Sequence, residues 1–188
     1  MRKVALTFGL LSGLIVSVLM VINMSLLKGG VLDFDSGAVV GYGTMIIAFS
    51  MIFFGIKSYR DNHLRGAIRF GKAFQAGLLI TLIASALYVA TWEIYWRTDT
   101  DLQKSFVDQY TEHTIAKMKN EAATESEIEA ARKDMLEFWK MYENTFVRVG
   151  FTFMEILPVG LVITLISAAI LRRRDVLPYS PQPTTGTA

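Results

Sequence analysis

The stretch VGFTFMEILPVGLVITLISAAIL, residues 149–171, decides the fold that this sequence predicts. Glu155 is its only ionisable side chain, and three arginines follow it at positions 172–174. At about 1.5 Å per residue, a helix of this length crosses the ~30 Å hydrocarbon core of a bilayer. Arginines directly after such a helix are typical of its cytoplasmic end. The stretch therefore predicts a membrane-spanning helix with a basic anchor.

Three other windows of the chain are long and apolar enough for the same interpretation: residues 4–27, 37–56 and 74–96. The first is about twice as long as the core of a signal peptide and ends without a cleavage pattern, so we expect it to be retained. The predicted fold class is all-α. It is a polytopic membrane protein with four transmembrane helices and an extramembrane helical hairpin between spans three and four.

Two domains are predicted, a four-helix transmembrane domain over residues 1–174 and a disordered cytoplasmic tail over residues 175–188. Residues 97–148 form the outer helical segment of the first domain. Within it, the T-x-x-E pattern at 124–127 is a capping box at the start of a helix. The apolar residues from Ile128 to Phe146 then recur at three- and four-residue steps. Such a stripe either packs on the partner helix of the hairpin or docks another protein.

Two glycine pairs with the spacing G-x-x-x-G lie in the first two spans, Gly9 with Gly13 and Gly37 with Gly41. Such pairs let helix backbones approach closely. Apolar segments that contain glycine also produce this spacing by chance, so a packing face and a chance match are both open.

The end of the third span carries Trp92, Tyr95 and Trp96, which predict an aromatic belt at the membrane interface. Glu93 lies among these rings. Its carboxylate is expected to reach the headgroups and water.

Basic residues in the short connections predict the orientation of the spans. Arg2, Lys3, the bases within residues 57–72 and the arginines at 172–174 would share one side, whereas Lys28 is the base of the loop between the first two spans. Both termini are therefore expected in the cytoplasm and the outer segment outside. The predicted location is a bacterial inner (cytoplasmic) membrane, whose lipid bilayer is the first predicted partner.

Arg60, Arg65, Arg69 and Lys72 are candidate contacts for anionic lipid headgroups. The last three have helical spacing, which favours a short helix lying in the headgroup layer. The alternative is that these charges only hold the loop on the cytoplasmic side of the membrane.

Glu155 marks the one candidate site within the membrane. It lies about 9 Å inside the outer end of its span at the helical rise. An ionised carboxylate there costs a few kcal/mol or more unless it finds a donor. Polar side chains on the other three spans reach similar depths, and Thr152 lies one turn before Glu155. The candidate intramembrane polar cluster is Glu155, Asn23, Tyr42, Thr44, Tyr88 and Thr152.

Pro158 lies in the same predicted span, three residues after Glu155. It cannot donate a hydrogen bond to the carbonyl of Met154, so a helix kink is predicted there. An irregular helix beside a carboxyl group is a common arrangement for an ion or proton site. The alternative is a neutral Glu155 that is hydrogen-bonded to Tyr42 or Asn23 and only fixes helix packing.

The composition argues against several chemistries. The chain has no cysteine, hence no thiol nucleophile and no cysteine metal site. His63 and His113, its two histidines, are predicted on opposite sides of the membrane. No catalytic motif occurs, so the chain is not expected to be an enzyme, and no catalytic residue, metal or cofactor is predicted. A net charge of +2 gives no reason to expect a nucleic-acid partner.

Three stretches carry a family resemblance: Gly41-Tyr42 leading to FGIKSYRD at 54–61, FGKAF at 70–74, and EILPVGL at 155–161. Together they resemble the bacterial family of small four-span membrane proteins classed as domain of unknown function four-one-nine-nine. The resemblance extends over residues 2–174. It implies the four-span layout and brings no activity with it.

The sequence therefore predicts an integral membrane protein with two functional interpretations. In the first, it is a non-catalytic membrane component that binds a partner protein through its outer hairpin or its basic inner loop. In the second, it is a small homo-oligomeric transporter or proton-coupled protein that uses the cluster around Glu155. A water-accessible cavity at Glu155 would favour the second interpretation, and a dry, hydrogen-bonded core would favour the first.

Overall fold

The computed structural model describes residues 1–173 and residue 177, and the part it describes is helical with no strand. The predicted disordered tail lies outside the described residues, apart from residue 177. The helices are α1 (Arg2–Lys28), α2 (Phe34–His63), α3 (Phe70–Thr98), α4 (Thr100–Asn120), α5 (Glu125–Tyr142) and α6 (Thr145–Leu171). By length and composition, α1, α2, α3 and α6 are able to cross a membrane. The predicted fold class of four spans with a helical hairpin before the last one is confirmed.

The four long helices form a bundle in which α1 and α6 each pack against both α2 and α3. Helices α4 and α5 pack on each other as a hairpin and contact the bundle through α1, α3 and α6. We call the end of the bundle that carries this hairpin the hairpin end, and the end where α1 begins and α6 stops the termini end. Asp99 alone separates α3 from α4, so the hairpin continues directly from the third span.

Close backbone approach joins α1 to α3. A Cβ atom added to Gly9 would lie 2.8 Å from Cβ of Ile83, and one added to Gly13 would lie 3.0 Å from Cα of Ala84. Larger side chains at either glycine would push the helices apart. The first G-x-x-x-G pair is therefore a packing face, as one of the two interpretations of the sequence predicted.

The connection between α2 and α3 differs from the short interfacial helix that the basic spacing favoured. Helix α2 continues through His63, and only residues 64–69 remain as a linker. Arg65 and Gly66 adopt positive φ values of 52° and 81° in this linker. Such backbone angles turn the chain sharply instead of extending a helix, so the predicted interfacial helix was wrong.

The predicted capping box of α5 is confirmed, because the Thr124 hydroxyl accepts from the Glu127 N–H and the Glu127 carboxylate accepts from the Thr124 N–H. The stripe of α5 packs mainly on its own neighbours. Ile128 is buried, and the Trp139 ring packs edge-on against Phe106 and Tyr110 of α4.

The aromatic residues at the end of α3 are turned inward. Trp92 and Trp96 are buried beneath the hairpin, where both rings contact Phe106, and the Trp92 indole N–H donates to the Tyr142 hydroxyl at 3.0 Å. The predicted belt facing the headgroups was therefore wrong for these two rings. They join the hairpin to the bundle instead.

Candidate functional site

A cavity of about 560 Å³ lies between the hairpin-end halves of α1, α2, α3 and α6. One face of α4 contributes to its lining, so the cavity is located beneath the hairpin. Five of the six side chains in the predicted polar cluster line it: Asn23, Tyr42, Thr44, Tyr88 and Glu155. The structure thus brings these residues from all four spans to one space, while their functional role stays a prediction.

Thr152, the sixth member of the predicted cluster, does not line the cavity. Its side chain is buried, and its hydroxyl donates to the Arg148 carbonyl of the preceding turn at 2.9 Å. One turn separates it from Glu155, and Tyr142 lies near both side chains, but only Glu155 lines the cavity.

Small residues close the bundle just below the cavity. Gly160 of α6 packs directly against Thr81 of α3, and a Cβ added there would lie 3.1 Å from the Phe49 ring of α2. One turn further along, the hydroxyls of Thr81 and Thr164 are 3.0 Å apart. Three helices meet at this level and separate the cavity from the termini end along this seam.

Asn23 is the best-defined polar group of the cavity. Its side chain is only 5% exposed, and Nδ2 donates to the Gly37 carbonyl of α2 at 2.9 Å. A carbonyl only accepts, so this bond fixes the orientation of the amide. Oδ1 is buried and has no hydrogen-bond partner among the described residues. An unpaired buried acceptor typically costs about 1–3 kcal/mol, so a water molecule or a ligand donor at Oδ1 would stabilise the site.

Gly41 allows α2 to come this close to Asn23, because a Cβ added to Gly41 would lie 3.3 Å from Asn23 Nδ2. The Gly41 carbonyl accepts from the Thr44 hydroxyl at 2.7 Å. Thr44 therefore satisfies its donor within its own helix. The second G-x-x-x-G pair borders the cavity as well as the helix interface.

Glu155 faces the same space without a partner for its carboxyl group. Among the residues that the structure describes, none forms a hydrogen bond or an ion pair with it. Val16, Met20 and Met45 line the cavity with apolar atoms. The predicted hydrogen bond from Tyr42 or Asn23 to Glu155 is absent from these contacts, although all three residues line the cavity.

Tyr142 of the hairpin lies close enough to Glu155 for that residue to affect the pKa of its hydroxyl. Burial raises the pKa of the Tyr142 hydroxyl, hydrogen bonds with Trp92 and Thr152 act against this, and the negative charge of Glu155 adds to the increase. The hydroxyl therefore stays protonated at neutral pH. Tyr142 thus brings a hydroxyl of the hairpin near Glu155.

The mouth of the cavity is formed by α4 and the start of α2, which sequence reasoning missed. Phe34 packs against the rings of Phe106, Tyr110 and His113 with centroid distances of 5.5–5.6 Å. The pattern Phe106, Tyr110, His113 and Lys117 follows one helical face and was the available signal. His113 is not simply solvated, as a lone loop histidine would be.

Three charged or titratable groups meet at this mouth. Asp35 Oδ2 lies 3.5 Å from His113 Nε2, and Asp35 Oδ1 lies 3.7 Å from Lys117 Nζ. All three residues line the cavity. The Asp35 carboxylate thus has two neighbouring side chains at the mouth, whereas the Glu155 carboxyl group, further along the bundle on α6, has no such partner among the described residues.

A buried ion pair next to the cavity fixes the start of α6. Arg148 is 3% exposed and binds Glu93 of α3 through two hydrogen bonds, Nε to Oε1 at 2.6 Å and Nη2 to Oε2 at 2.8 Å. Its Nη1 donates to the Tyr142 carbonyl at 2.9 Å. Glu93 was expected to reach water and headgroups, and this was wrong because Arg148 holds it inside. A carboxylate and a guanidinium at the ends of two adjacent spans were the overlooked signal.

The four candidate lipid contacts separate into two groups. Arg60 is 1% exposed, with Nε donating to Asp61 at 2.7 Å and Nη2 donating to the carbonyl of Leu177 at 2.7 Å. A buried, paired guanidinium cannot reach a headgroup, so this placement corrects the prediction for Arg60. Arg65, Arg69 and Lys72 are exposed.

Arg172 and Arg173 complete the basic surface near Arg69. These three arginines line one groove at the termini end.

At Pro158, α6 continues without a break. Met154 loses the hydrogen bond that a non-proline residue would donate to its carbonyl, and the predicted kink itself stays a prediction.

The fold and the cavity define a class of protein: a four-span membrane protein with an extramembrane helical hairpin and a polar cavity beneath it. The family described as "Protein of unknown function (DUF4199)" matches residues 7–173. The chain belongs to this family. Neither the curated proteins nor the solved structures gave a match to the chain.

Proposed function

We propose that this protein binds a small molecule in the cavity beneath the hairpin. The supporting observation is a space of about 560 Å³ that contains an unpaired carboxyl group at Glu155 and an unpaired amide oxygen at Asn23. Ligand pockets typically measure about 300–1,000 Å³ and combine apolar walls with a few polar groups. A bundle in which these residues served packing alone would be expected to pair them with each other.

Transport is the form of this proposal that the position of Glu155 favours. An ionisable side chain within a span commonly marks the path of a substrate, an ion or a proton. The cavity lies in the hairpin-end half, and the packing of Gly160 on Thr81 and Phe49 lies between it and the termini end. A transport cycle would open this contact. Four spans are few for a monomeric carrier, so the proposal includes a homo-oligomer.

The orientation is part of the same proposal. Arg2, Lys3, Arg65, Arg69 and Lys72 lie at the termini end, where the chain places them together with the arginines after α6. The positive-inside rule then puts the termini in the cytoplasm and the cavity mouth outside, in a bacterial inner membrane.

A second candidate function is that of a non-catalytic membrane component that binds a partner protein through the hairpin. The specific observation is apolar exposure on α5, where Leu136 is 72% exposed and Met141 is 54% exposed. Crosslinking in membranes from positions 136 and 141 tests it. Crosslinks to one reproducible partner would support this function, and crosslinks to other copies of the chain alone would weaken it.

Cysteine accessibility tests the proposed cavity, and the natural chain has no cysteine to interfere. Thr44→Cys places a thiol on the cavity wall, and Phe49→Cys is the matched control one and a half turns further along the same helix, where the side chain is fully buried. Membranes carrying each variant are treated with a charged methanethiosulfonate reagent. We expect modification of Thr44→Cys and no modification of Phe49→Cys. Protection of both thiols would contradict a water-accessible cavity.

A further inference from the structure

The charged groups facing the cavity have an uneven distribution. Asp35, His113 and Lys117 lie together at the mouth, where the His113 imidazole and the Lys117 ammonium group are within 3.5–3.7 Å of the Asp35 carboxylate. Glu155 lies on α6, away from this group, with no described Lys, Arg or His within ion-pair distance. The nearest buried guanidinium, that of Arg148, is occupied by Glu93. The part of the cavity wall that α6 forms therefore has a carboxyl group and no matching cation among the described residues.

One buried polar atom of the cavity wall is an unused acceptor. The Nδ2 donor of Asn23 is used by the Gly37 carbonyl, and the Thr44 hydroxyl is used by the Gly41 carbonyl. Oδ1 of Asn23, on a side chain 95% withdrawn from solvent, remains an acceptor with no described partner. An occupant that satisfies both Oδ1 and the Glu155 carboxylate must supply donors or positive charge.

The side chains that line the cavity favour an organic ligand over a bare metal ion. Tyr42, Tyr88 and Phe34 contribute aromatic rings, and Met20 and Met45 contribute polarizable thioethers. Aromatic faces attract cations, most strongly where water is excluded. A bare metal ion needs several oxygen ligands, and no cluster of three His, Asp or Glu side chains suited to a metal occurs among the described residues.

We infer that the cavity is a binding site for an organic cation, a molecule with a positively charged centre and apolar substituents, with the Glu155 carboxylate as its counter-ion and Asn23 Oδ1 as a second polar contact. This inference rests on the proposed function and adds the chemical class of the ligand.

The test uses tetraphenylphosphonium and tetraphenylborate, two ions of similar shape and apolar surface but opposite charge. Binding of each to the purified full chain in an uncharged detergent is measured by equilibrium dialysis. We expect tetraphenylphosphonium to bind at least about tenfold more tightly than tetraphenylborate, a difference that corresponds to about 1.4 kcal/mol. This comparison uses the natural chain, so it does not depend on the folding of a variant.

Two variants test whether the Glu155 carboxylate is the group that favours the cation over the anion. Glu155→Gln keeps the shape of the side chain and is expected to lower the affinity for tetraphenylphosphonium at least about tenfold. Glu137→Gln removes an exposed carboxylate from α5 and is expected to leave the affinity unchanged. Equal binding of the two ions, or unchanged binding to Glu155→Gln, would overturn the inference while the proposed cavity stands.

Failure of both ions to bind is also decisive when it is combined with the accessibility of Thr44→Cys. If that thiol is modified and neither ion binds, the inference is overturned and the proposed function is not. If the thiol is protected as well, the proposed function fails with it.

Discussion

The two halves of the bundle are held together by different interactions. In the termini-end half, glycines bring backbones and side chains of neighbouring helices into direct contact, as Gly160 does with Thr81. In the hairpin-end half, the helices enclose a cavity, and the contacts that remain are polar and aromatic, chiefly the Arg148–Glu93 pair and the rings around Trp92. Helices that approach closely leave no room for a ligand. Space for a ligand therefore requires a different means of fixing the helix ends.

Because the helices of the hairpin-end half enclose a cavity, the hairpin helps to fix their ends. It connects α3 to α6, and its aromatic side chains cover the cavity while the buried guanidinium of Arg148 binds both Glu93 and the end of α5. Because lipid is as apolar as the helix surfaces, packing and polar contacts must provide the specificity of helix association in a membrane. Both kinds of contact occur in each half, with close packing more prominent toward the termini end and polar and aromatic contacts more prominent at the hairpin end.

The largest effect is expected from breaking the polar contact of the hairpin-end half. Arg148→Met leaves Glu93 buried without its guanidinium, and removal of one partner of a buried ion pair typically costs about 3–5 kcal/mol. We expect a large decrease in the midpoint of thermal denaturation in detergent. Arg97→Met is the matched control, because Arg97 is exposed and lies 3.4 Å from the same carboxylate; exposed pairs contribute about 0–1 kcal/mol.

The double variant Arg148→Met with Glu93→Leu sharpens this test. It removes both charges, so much of the stability lost in Arg148→Met should return. An equal loss in the double variant would mean that the guanidinium acts through the carbonyls of α5 more than through Glu93.

A smaller effect is expected from the close packing of the other half. Gly160→Leu forces a side chain against Thr81 and Phe49, and overpacking of this kind typically costs about 1–3 kcal/mol. Gly150→Leu lies on the same helix, where an added Cβ meets open space. The denaturation midpoint should fall for Gly160→Leu and change little for Gly150→Leu. Equal midpoints for the two variants would contradict the close packing proposed for the termini-end half.

The smallest effect concerns the start of α2, at the hairpin end of the bundle. Asp33 caps α2 by accepting from the Ser36 N–H at 2.7 Å, and this hydrogen bond holds the pKa of Asp33 below its ordinary value of 3.8. The cap therefore stabilises the protein above that value, and the contribution is lost as the pH falls through the lower pKa of the folded state. Asp33→Ala should lower stability slightly at neutral pH. The difference from the natural chain should vanish in acid, and a difference that grew with acidity would contradict the cap.

Much of the fold could be predicted because length and apolarity suffice to define a span. The observed helices extend the predicted windows by a few residues at their ends, and the first glycine pair and the capping box both serve as their patterns indicated. Depth along a helix follows from its constant rise. For that reason, counting residues inward was enough to bring Asn23, Tyr88 and Glu155 to one level.

Rotation around each helix could not be predicted in the same way, because it depends on packing with partners that are distant in sequence. Thr152 has the right depth but does not face the cavity, and Arg60 turns inward to Asp61 although the other three basic candidates of this region are exposed. The pairing of Glu93 with Arg148 joins residues 55 positions apart. A single sequence offers no rule for choosing such a pair.

The most direct test of the central claim, that Glu155 faces a water-accessible cavity, is carbodiimide labelling of the natural chain in membranes, read out by mass spectrometry. A water-soluble carbodiimide with an amine nucleophile modifies carboxyl groups that water reaches. We expect Glu155 to be modified, whereas Glu93, enclosed by Arg148, should not be. An unmodified Glu155 under conditions that fully modify the exposed Glu137 would contradict it.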